Sequence, residues 1–392
     1  MTYSGVTYPR GFTAAGCSAG IKSSGGKDLA IVINNGPVPA SAGVFTSNRI
    51  VAAPVTLTRE HLTHGPLGAV ILNSGGANAC TGTLGMDNAR TTAAAVGAHI
   101  GIAPQHVGVC STGIIGVPLP MDRILGAIPT LCAAASAHAQ ASLDAADAIR
   151  TTDTVAKTYA SEYADGWRIG GMAKGAGMLA PGLATMLCVL TTDACLDNDN
   201  AAAALAEAVR TTFNRTDSDG CMSTNDTVLL LSSGSSGLTP RIEDFTAELT
   251  VACANLARQL LADAEGASHD IAITVTGATS EEAAEAVGRA VARSNLFKTA
   301  VFGNDPNWGR IISEVGTVPQ SVAPYDPNAI DVIINHVMVC QAGGVGQDRA
   351  LVDMSAREVS VVVDLHAGNA SATIWTNDLT HDYVHENSAY TS

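Results

Sequence analysis

The sequence predicts an α/β protein of layered sheets and helices, and three observations carry that expectation. Short apolar runs of strand length alternate with longer segments in which apolar residues recur at helical spacing. Hydrophobic residues make up 46% of the 392 positions and aromatics only 4%, so a large, mostly aliphatic interior is expected. Several apolar runs end in loops of Gly, Ser, Thr and Asn rather than in polar caps alone.

In chain order, strands are expected at "LAIVINN" (29–35), "GAVILN" (68–73), "HVGVC" (106–110) and "ATMLCVLTT" (184–192). They continue at "TVLLLSS" (227–233), "DIAITVTG" (270–277), "AIDVIINHVMV" (329–339) and "EVSVVVDL" (358–365). Helices are expected over about 87–100, 121–149, 200–213, 242–265 and 280–294. "NDNAAAALAEAV" and "TSEEAAEAVGRAV" both open on capping residues, and the second has an acidic first turn. The clearest break in composition is a glycine-rich loop at 170–182.

Lysine and arginine number 21 against 36 acids, a net charge of −15. Such a chain repels phosphate backbones and anionic lipid, which argues against nucleic-acid and membrane-surface partners. No secretory signal is evident, and no run reaches the roughly 18 apolar residues of a membrane span. Nine scattered cysteines without a CxxC pair fit buried thiols in a cytoplasmic protein.

Two familiar signatures lack their context. "GAGMLA" (175–180) fits the permissive dinucleotide fingerprint, but Pro181 and Gly182 leave no room for the helix that binds pyrophosphate. "HDYVHEN" sets His381 four residues before His385 and beside Glu386, without a visible third ligand group, so no metal is expected.

A third feature is sharper. Thr185 sits where the strand "ATMLCVLTT" leaves a loop through Gly182, behind small Ala184. A threonine at a strand start is usually only a good strand former. Here its hydroxyl is placed to attack the Ala184 carbonyl, move the acyl group to oxygen and lose it to water. The freed α-amine, with a pKa of about 7.7–8.0, would then act as base for its own hydroxyl. The turn "CSTGIIG" offers Thr112 and Gly113 as oxyanion donors, unless it is only a tight turn.

The run "GGMAKGAGMLAPGLATMLCVLTTDA" strongly resembles the autoprocessing segment of the glutamate N-acetyltransferase (ornithine acetyltransferase, ArgJ) family. "NSGGANACTG", "VCSTGIIG", "IRTTDT", "STNDTVLL", "KTAVFGNDPNWGRI" and "YVHENSAYTS" match it in the same order along nearly the whole chain. The resemblance implies a four-layer α/β/β/α sandwich of the ArgJ/DmpA-like type. It implies a cut between Ala184 and Thr185, giving an α fragment (1–184) and a β fragment (185–392) that fold as one unit and assemble as α2β2. It also implies ping-pong transfer of acetyl from N-acetylornithine to glutamate through Thr185, without metal or organic cofactor. Acetyl-CoA as a further donor, or transfer to water by an amidase or aminopeptidase of the same fold, are the alternatives.

The same resemblance assigns Thr112 and Gly113 to the oxyanion site. It places Lys174, Thr185, Glu265, Asn387 and Ser392 at the substrate, together with one of Thr151 and Thr152. One departure stands out. Where the family usually continues Thr-Lys after "EGA", this chain has Ser268-His269, which removes a positive charge from the neighbourhood of Glu265. Either His269 makes up for that charge or substrate preference shifts.

Overall fold

The structure is a computed structural model that describes residues 5–178 and 186–389. The first half of the chain supplies β1 (Phe12–Cys17), β2 (Leu29–Asn34), β3 (Ala40–Phe45), α1 (Ala53–Leu62), β4 (Ala69–Gly76), α2 (Gly82–Ile100) and β5 (Val107–Ile114). Then come α3 (Met121–Ala134), α4 (Ala139–Ala148), β6 (Lys157–Glu162), β7 (Arg168–Lys174), β8 (Leu187–Thr192), α5 (Asn198–Thr211), β9 (Thr227–Ser232) and α6 (Ile242–Ala262).

These elements stack in four layers. One sheet has the order β1-β2-β4-β5, and the other β3-β9-β8-β7-β6. The first packs its outer face on α1, α2 and α3, through Ile31, Ile71 and Val109 against Leu57, Ala93 and Ile128. The second packs outward on α5 and α6, through Cys188, Leu190 and Leu230 against Leu205, Leu249 and Leu256. Between the sheets, Val32, Val70 and Leu72 meet Met172, Val189 and Leu229. Successive residues of β8 and β9 therefore enter different cores, which is why both read as continuous apolar runs. The α/β/β/α arrangement expected from the sequence is present.

The rest of the chain builds a separate sheet. It comprises β10 (Asp270–Ala278), α7 (Glu281–Ala292), α8 (Asn295–Phe302), α9 (Trp308–Val315), β11 (Asp331–Ile334), β12 (Val337–Gln341), β13 (Gly344–Val345), β14 (Glu358–Asp364), β15 (Ala370–Asn377) and α10 (His381–Ala389). The strand order is β13-β12-β11-β14-β10-β15. Ile271, Ile273, Val361 and Ile374 face Val287 and Val291 of α7. Ser280 caps α7 by accepting from Ala283 N–H at 3.1 Å, as the sequence suggested. Such a cap contributes about 1 kcal/mol.

Several expectations need correction. The run 329–339 is two strands, not one, because Asn335 and His336 both take positive φ (43° and 70°) and turn the chain back as a hairpin. The helix over 121–149 is two helices. It breaks where Ser136 exchanges 3.0 Å backbone hydrogen bonds with Ala14 of β1. The glycine-rich stretch at 170–182 is not a loop from its start, since Arg168–Lys174 is the buried strand β7. Glycine is required within it, because a Cβ on Gly170 would stand 2.3 Å from the Gly5 carbonyl oxygen. The strand expected at 184–192 is described from Leu187, its first residues lying outside the described ones.

Candidate active site

The ends of β5, β7, β8 and β9 converge at one edge of the two stacked sheets. Lys174 pairs with Leu187, and Leu187 with Thr227, so β7, β8 and β9 end side by side. Thr112 and Gly113 come from the last turns of β5 in the facing sheet. Gly113 has φ of 128°, and a Cβ there would lie 2.5 Å from Gly75 C and Gly76 N. The glycines of "NSGG" and "STG" thus let two backbones touch where β4 and β5 shift register.

Lys174 is buried, and its ammonium reaches both sheets. Nζ donates to Thr151 Oγ1 at 2.7 Å and to Thr112 Oγ1 at 3.3 Å. Asp153 Oδ2 stands 3.9 Å away. Asp153 in turn accepts from Gly175 N–H at 2.6 Å and from Lys157 Nζ at 2.6 Å, and Lys157 also donates to Asp263 Oδ2 at 2.5 Å. Two cations and two anions therefore share a dry cluster, which offsets the penalty of burying any one of them. Burial would raise the pKa of Asp153, but Lys174 and Lys157 overcome it and hold the carboxyl at about 2. Burial lowers the pKa of Lys174, with Asp153 opposing. An ammonium so held is a fixed electrostatic feature at the end of β5.

Glu265 approaches from the other side. It lies three residues beyond the end of α6, and its N–H donates to the Ala176 carbonyl at 3.0 Å. A Cβ on Gly177 would meet Glu265 Oε2 at 2.6 Å, so that glycine makes room for the carboxylate. Glu265 shares a cleft of about 290 Å³ with Thr152, Asp263, Thr380 and Glu386. Another cleft, of about 400 Å³, is lined by Lys22, Gly75, Gly113, Thr151 and Thr152. The loop over it is pinned by Asp28, which accepts from the N–H groups of Ala19 (2.6 Å), Ile21 (2.6 Å) and Lys22 (3.0 Å).

Thr112, Gly113, Thr151 and Lys174 come together directly, and Thr152 and Glu265 line one adjoining cleft. Thr151 is the member of its pair bonded to Lys174; Thr152 lies at both clefts. Asn387 stands on exposed α10, where its amide donates to the Tyr383 carbonyl at 3.0 Å. Ala184, Thr185 and Ser392 lie outside the described residues. His269 is engaged away from Glu265. Its Nδ1 lies 2.8 Å from Asp378 Oδ2, and Asp378 Oδ1 accepts from the N–H groups of Ser268 and His269, both at 2.9 Å.

Sequence reasoning passed over Asp153, Lys157, Asn225 and Asp226. All four are buried. Asp153 stands within the quoted "IRTTDT" and the last two within "STNDTVLL", but only burial distinguishes their carboxyl, amide and amine groups from solvated ones. Among the described residues, no group of three His, Cys, Asp or Glu side chains is placed to hold a metal ion, and no helix is long and apolar enough to cross a membrane.

A buried cation beside a glycine-shaped strand end, flanking the two strands that adjoin the Ala184–Thr185 junction, defines an acyl-transfer type of site. Comparison with known proteins gives the family. The ArgJ family profile matches residues 13–392. The chain is 57% identical over 389 residues to the arginine biosynthesis bifunctional protein ArgJ of Bifidobacterium longum, covering 99% of this chain and 100% of that protein. It is also 57% identical over 387 residues to the protein of the same name from Streptomyces avermitilis, with the same coverage. A solved structure of ornithine acetyltransferase from Mycobacterium tuberculosis, complexed with ornithine, shares 51% identity over 46% of this chain and 96% of that chain, at a TM-score of 0.45. The chain belongs to the ArgJ family.

Proposed function

We propose that this chain is a self-cleaving acetyltransferase of arginine biosynthesis that moves acetyl from N-acetyl-L-ornithine to L-glutamate through Thr185. The observation that carries the reading is Lys174, a buried ammonium bonded to Thr112 and Thr151 on the strand that precedes the cut. Its cation suits the α-carboxylate that both substrates carry, and Glu265 suits their ammonium group.

In maturation, the Thr185 hydroxyl adds to the Ala184 carbonyl carbon and the peptide C–N bond breaks, its nitrogen taking up a proton. Water then cleaves the resulting ester, leaving a carboxylate on Ala184 and a free amine on Thr185. In turnover that amine takes the hydroxyl proton as Thr185 attacks the acetyl carbonyl. Thr112 and Gly113 stabilise the oxyanion, ornithine leaves, and the glutamate amine takes the acetyl group from the ester. No metal or organic cofactor enters these steps. Because β7 and β8 are antiparallel neighbours in one sheet, fragments 1–184 and 185–392 stay interwoven after the cut. We assign the pair to the cytoplasm and to an α2β2 assembly.

The word "bifunctional" in the relatives' names favours a second activity, with acetyl-CoA as a further acetyl donor to glutamate. The test is intact mass under denaturing conditions followed by transfer assays. Two species are expected, one beginning Thr185-Met186-Leu187, with acetylglutamate formed from N-acetylornithine. A single uncut species without transfer would sink the mechanism, and acetyl release only to water would move the chain to the amidase class.

A further inference from the structure

Asn225 and Asp226 sit side by side immediately before β9, and each grips a different part of the site. Asn225 Nδ2 donates to the Ala77 carbonyl at 2.6 Å and to the Ser111 carbonyl at 2.8 Å, which holds the strand carrying Thr112. Asp226 Oδ1 accepts from Met186 N–H at 3.0 Å. Met186 is bonded directly to Thr185, so this amide is the peptide link immediately after the proposed nucleophile. The backbone at this point is fixed as well. Thr227 N–H donates to the Met186 carbonyl at 3.1 Å, and Thr46 N–H to the Asp226 carbonyl at 3.0 Å.

We infer that Asp226 is a positioning residue for both self-cleavage and acetyl transfer, and that with Asn225 it sets the nucleophile strand against the oxyanion strand. The inference rests on the function proposed above. Asn225 bonds to Ala77 and Ser111 on one side and Asp226 to Met186 on the other, so two adjacent residues span the two sheets with no flexible part between the grips. The spacing between a nucleophile and its oxyanion donors is a quantity to which rate is very sensitive: about 1 Å of misplacement costs about 10²-fold.

The carboxyl is wholly buried, and its Oδ2 has no hydrogen-bond partner among the described residues. Lys174 and the hydroxyls of Ser223 and Thr46 are near enough to favour the anion, yet burial outweighs them and raises the pKa well above the ordinary value. The contact to Met186 N–H asks for an acceptor oxygen at this one place, and an amide carbonyl supplies it as a carboxyl does.

The experiment compares wild type, Asp226→Asn, Asp226→Ala and Asp226→Glu by the rate of conversion to two fragments and by kcat and KM for transfer, after circular dichroism has shown each to be folded. Asp226→Asn is expected to cut itself and transfer acetyl within about threefold of wild type. Asp226→Ala is expected to process and turn over about 10²-fold more slowly, with KM for N-acetylornithine nearly unchanged. Should Asp226→Ala fail to fold, Asp226→Glu carries the comparison. It keeps the acid but displaces its oxygens by one methylene, and at least a tenfold slower cut is expected. Wild-type rates in Asp226→Ala or Asp226→Glu would overturn the inference. So would an Asp226→Asn protein as slow as the alanine variant, since charge would then be what matters. A wild-type chain that neither cuts nor transfers would sink the proposed function itself, which separates the two failures.

Discussion

In the six-stranded sheet, β10 and β14 bury alternate residues in the core they share with α7 and α9 and leave most of the others half-exposed. In the five-stranded sheet, β8 and β9 bury every residue, because a second sheet covers one face and α5 and α6 the other. The difference extends to polar groups. The six-stranded sheet is held by aliphatic packing, and its buried polar side chains, Thr376, Asn377, Asp378, His269 and Lys298, gather where β15 ends. The edge where the stacked sheets meet holds Lys174, Lys157 and Asp153 out of water, along with glycines that cannot accept a Cβ. Doubling the sheet creates a dry edge at which charges keep fixed positions, and the site forms there.

That contrast predicts opposite outcomes for two alanine variants. Gly113→Ala forces a side chain onto a φ of 128° and into Gly75 and Gly76 backbone atoms 2.5 Å away. Transfer is expected to fall by about 10²–10³, the loss typical of a spoiled oxyanion donor. Ile273→Ala, in the core of the six-stranded sheet, is expected to cost about 2–5 kcal/mol of stability while kcat/KM stays within about twofold. Thermal unfolding and steady-state transfer assays on both variants would check this. A Gly113→Ala protein with normal kcat, or an Ile273→Ala protein that is stable but inactive, would break the comparison.

The same contrast explains what the sequence revealed. β8, β9, β10 and β14 were readable as short apolar runs, and α5 and α7 from helical spacing with capping residues at their starts. β7 was not, because "RIGGMAK" carries two glycines where Gly5 and Leu256 press close and ends in a lysine, signals that ordinarily mark a loop. The hairpin at Asn335-His336 was hidden because its two-residue turn lacks the glycine that usually marks one. For the site, the turn "CSTGIIG" offered Thr112 and Gly113 by pattern, whereas Lys174 and Glu265 came from resemblance alone. The buried partners Asp153, Lys157, Asn225 and Asp226 came from neither, since contacts between residues 22 to 148 positions apart leave no local trace.

A milder test uses pH. A lysine whose pKa is lowered in the fold gives up its proton below the usual 10.5. If its cation binds substrate carboxylate, KM should climb on the alkaline side at a pH below 10.5, with kcat less affected. Lys174→Met should raise KM at neutral pH and remove that limb. Full KM profiles for N-acetylornithine and glutamate would show it, and an unchanged limb in Lys174→Met would assign the titration to another group.

The smallest effect is expected at Ser268-His269, although this is where the chain departs from the usual Thr-Lys of its family. From the sequence, the loss of a lysine beside Glu265 promised either compensation by His269 or a shifted substrate preference. The geometry points elsewhere. Asp378 takes the Ser268 and His269 N–H groups, the Ser268 hydroxyl and the His269 ring, so the pair ties the start of β10 to the chain leaving β15. A lysine at 269 would find the same buried carboxylate. The double variant Ser268→Thr, His269→Lys is therefore expected to change KM for either substrate by less than about twofold and stability by about 1 kcal/mol, the net contribution of a single ordinary hydrogen bond. A tenfold change in donor or acceptor preference would show that the charge at 269 is felt at Glu265 after all, and that the dry edge extends further into the six-stranded sheet than its packing indicates.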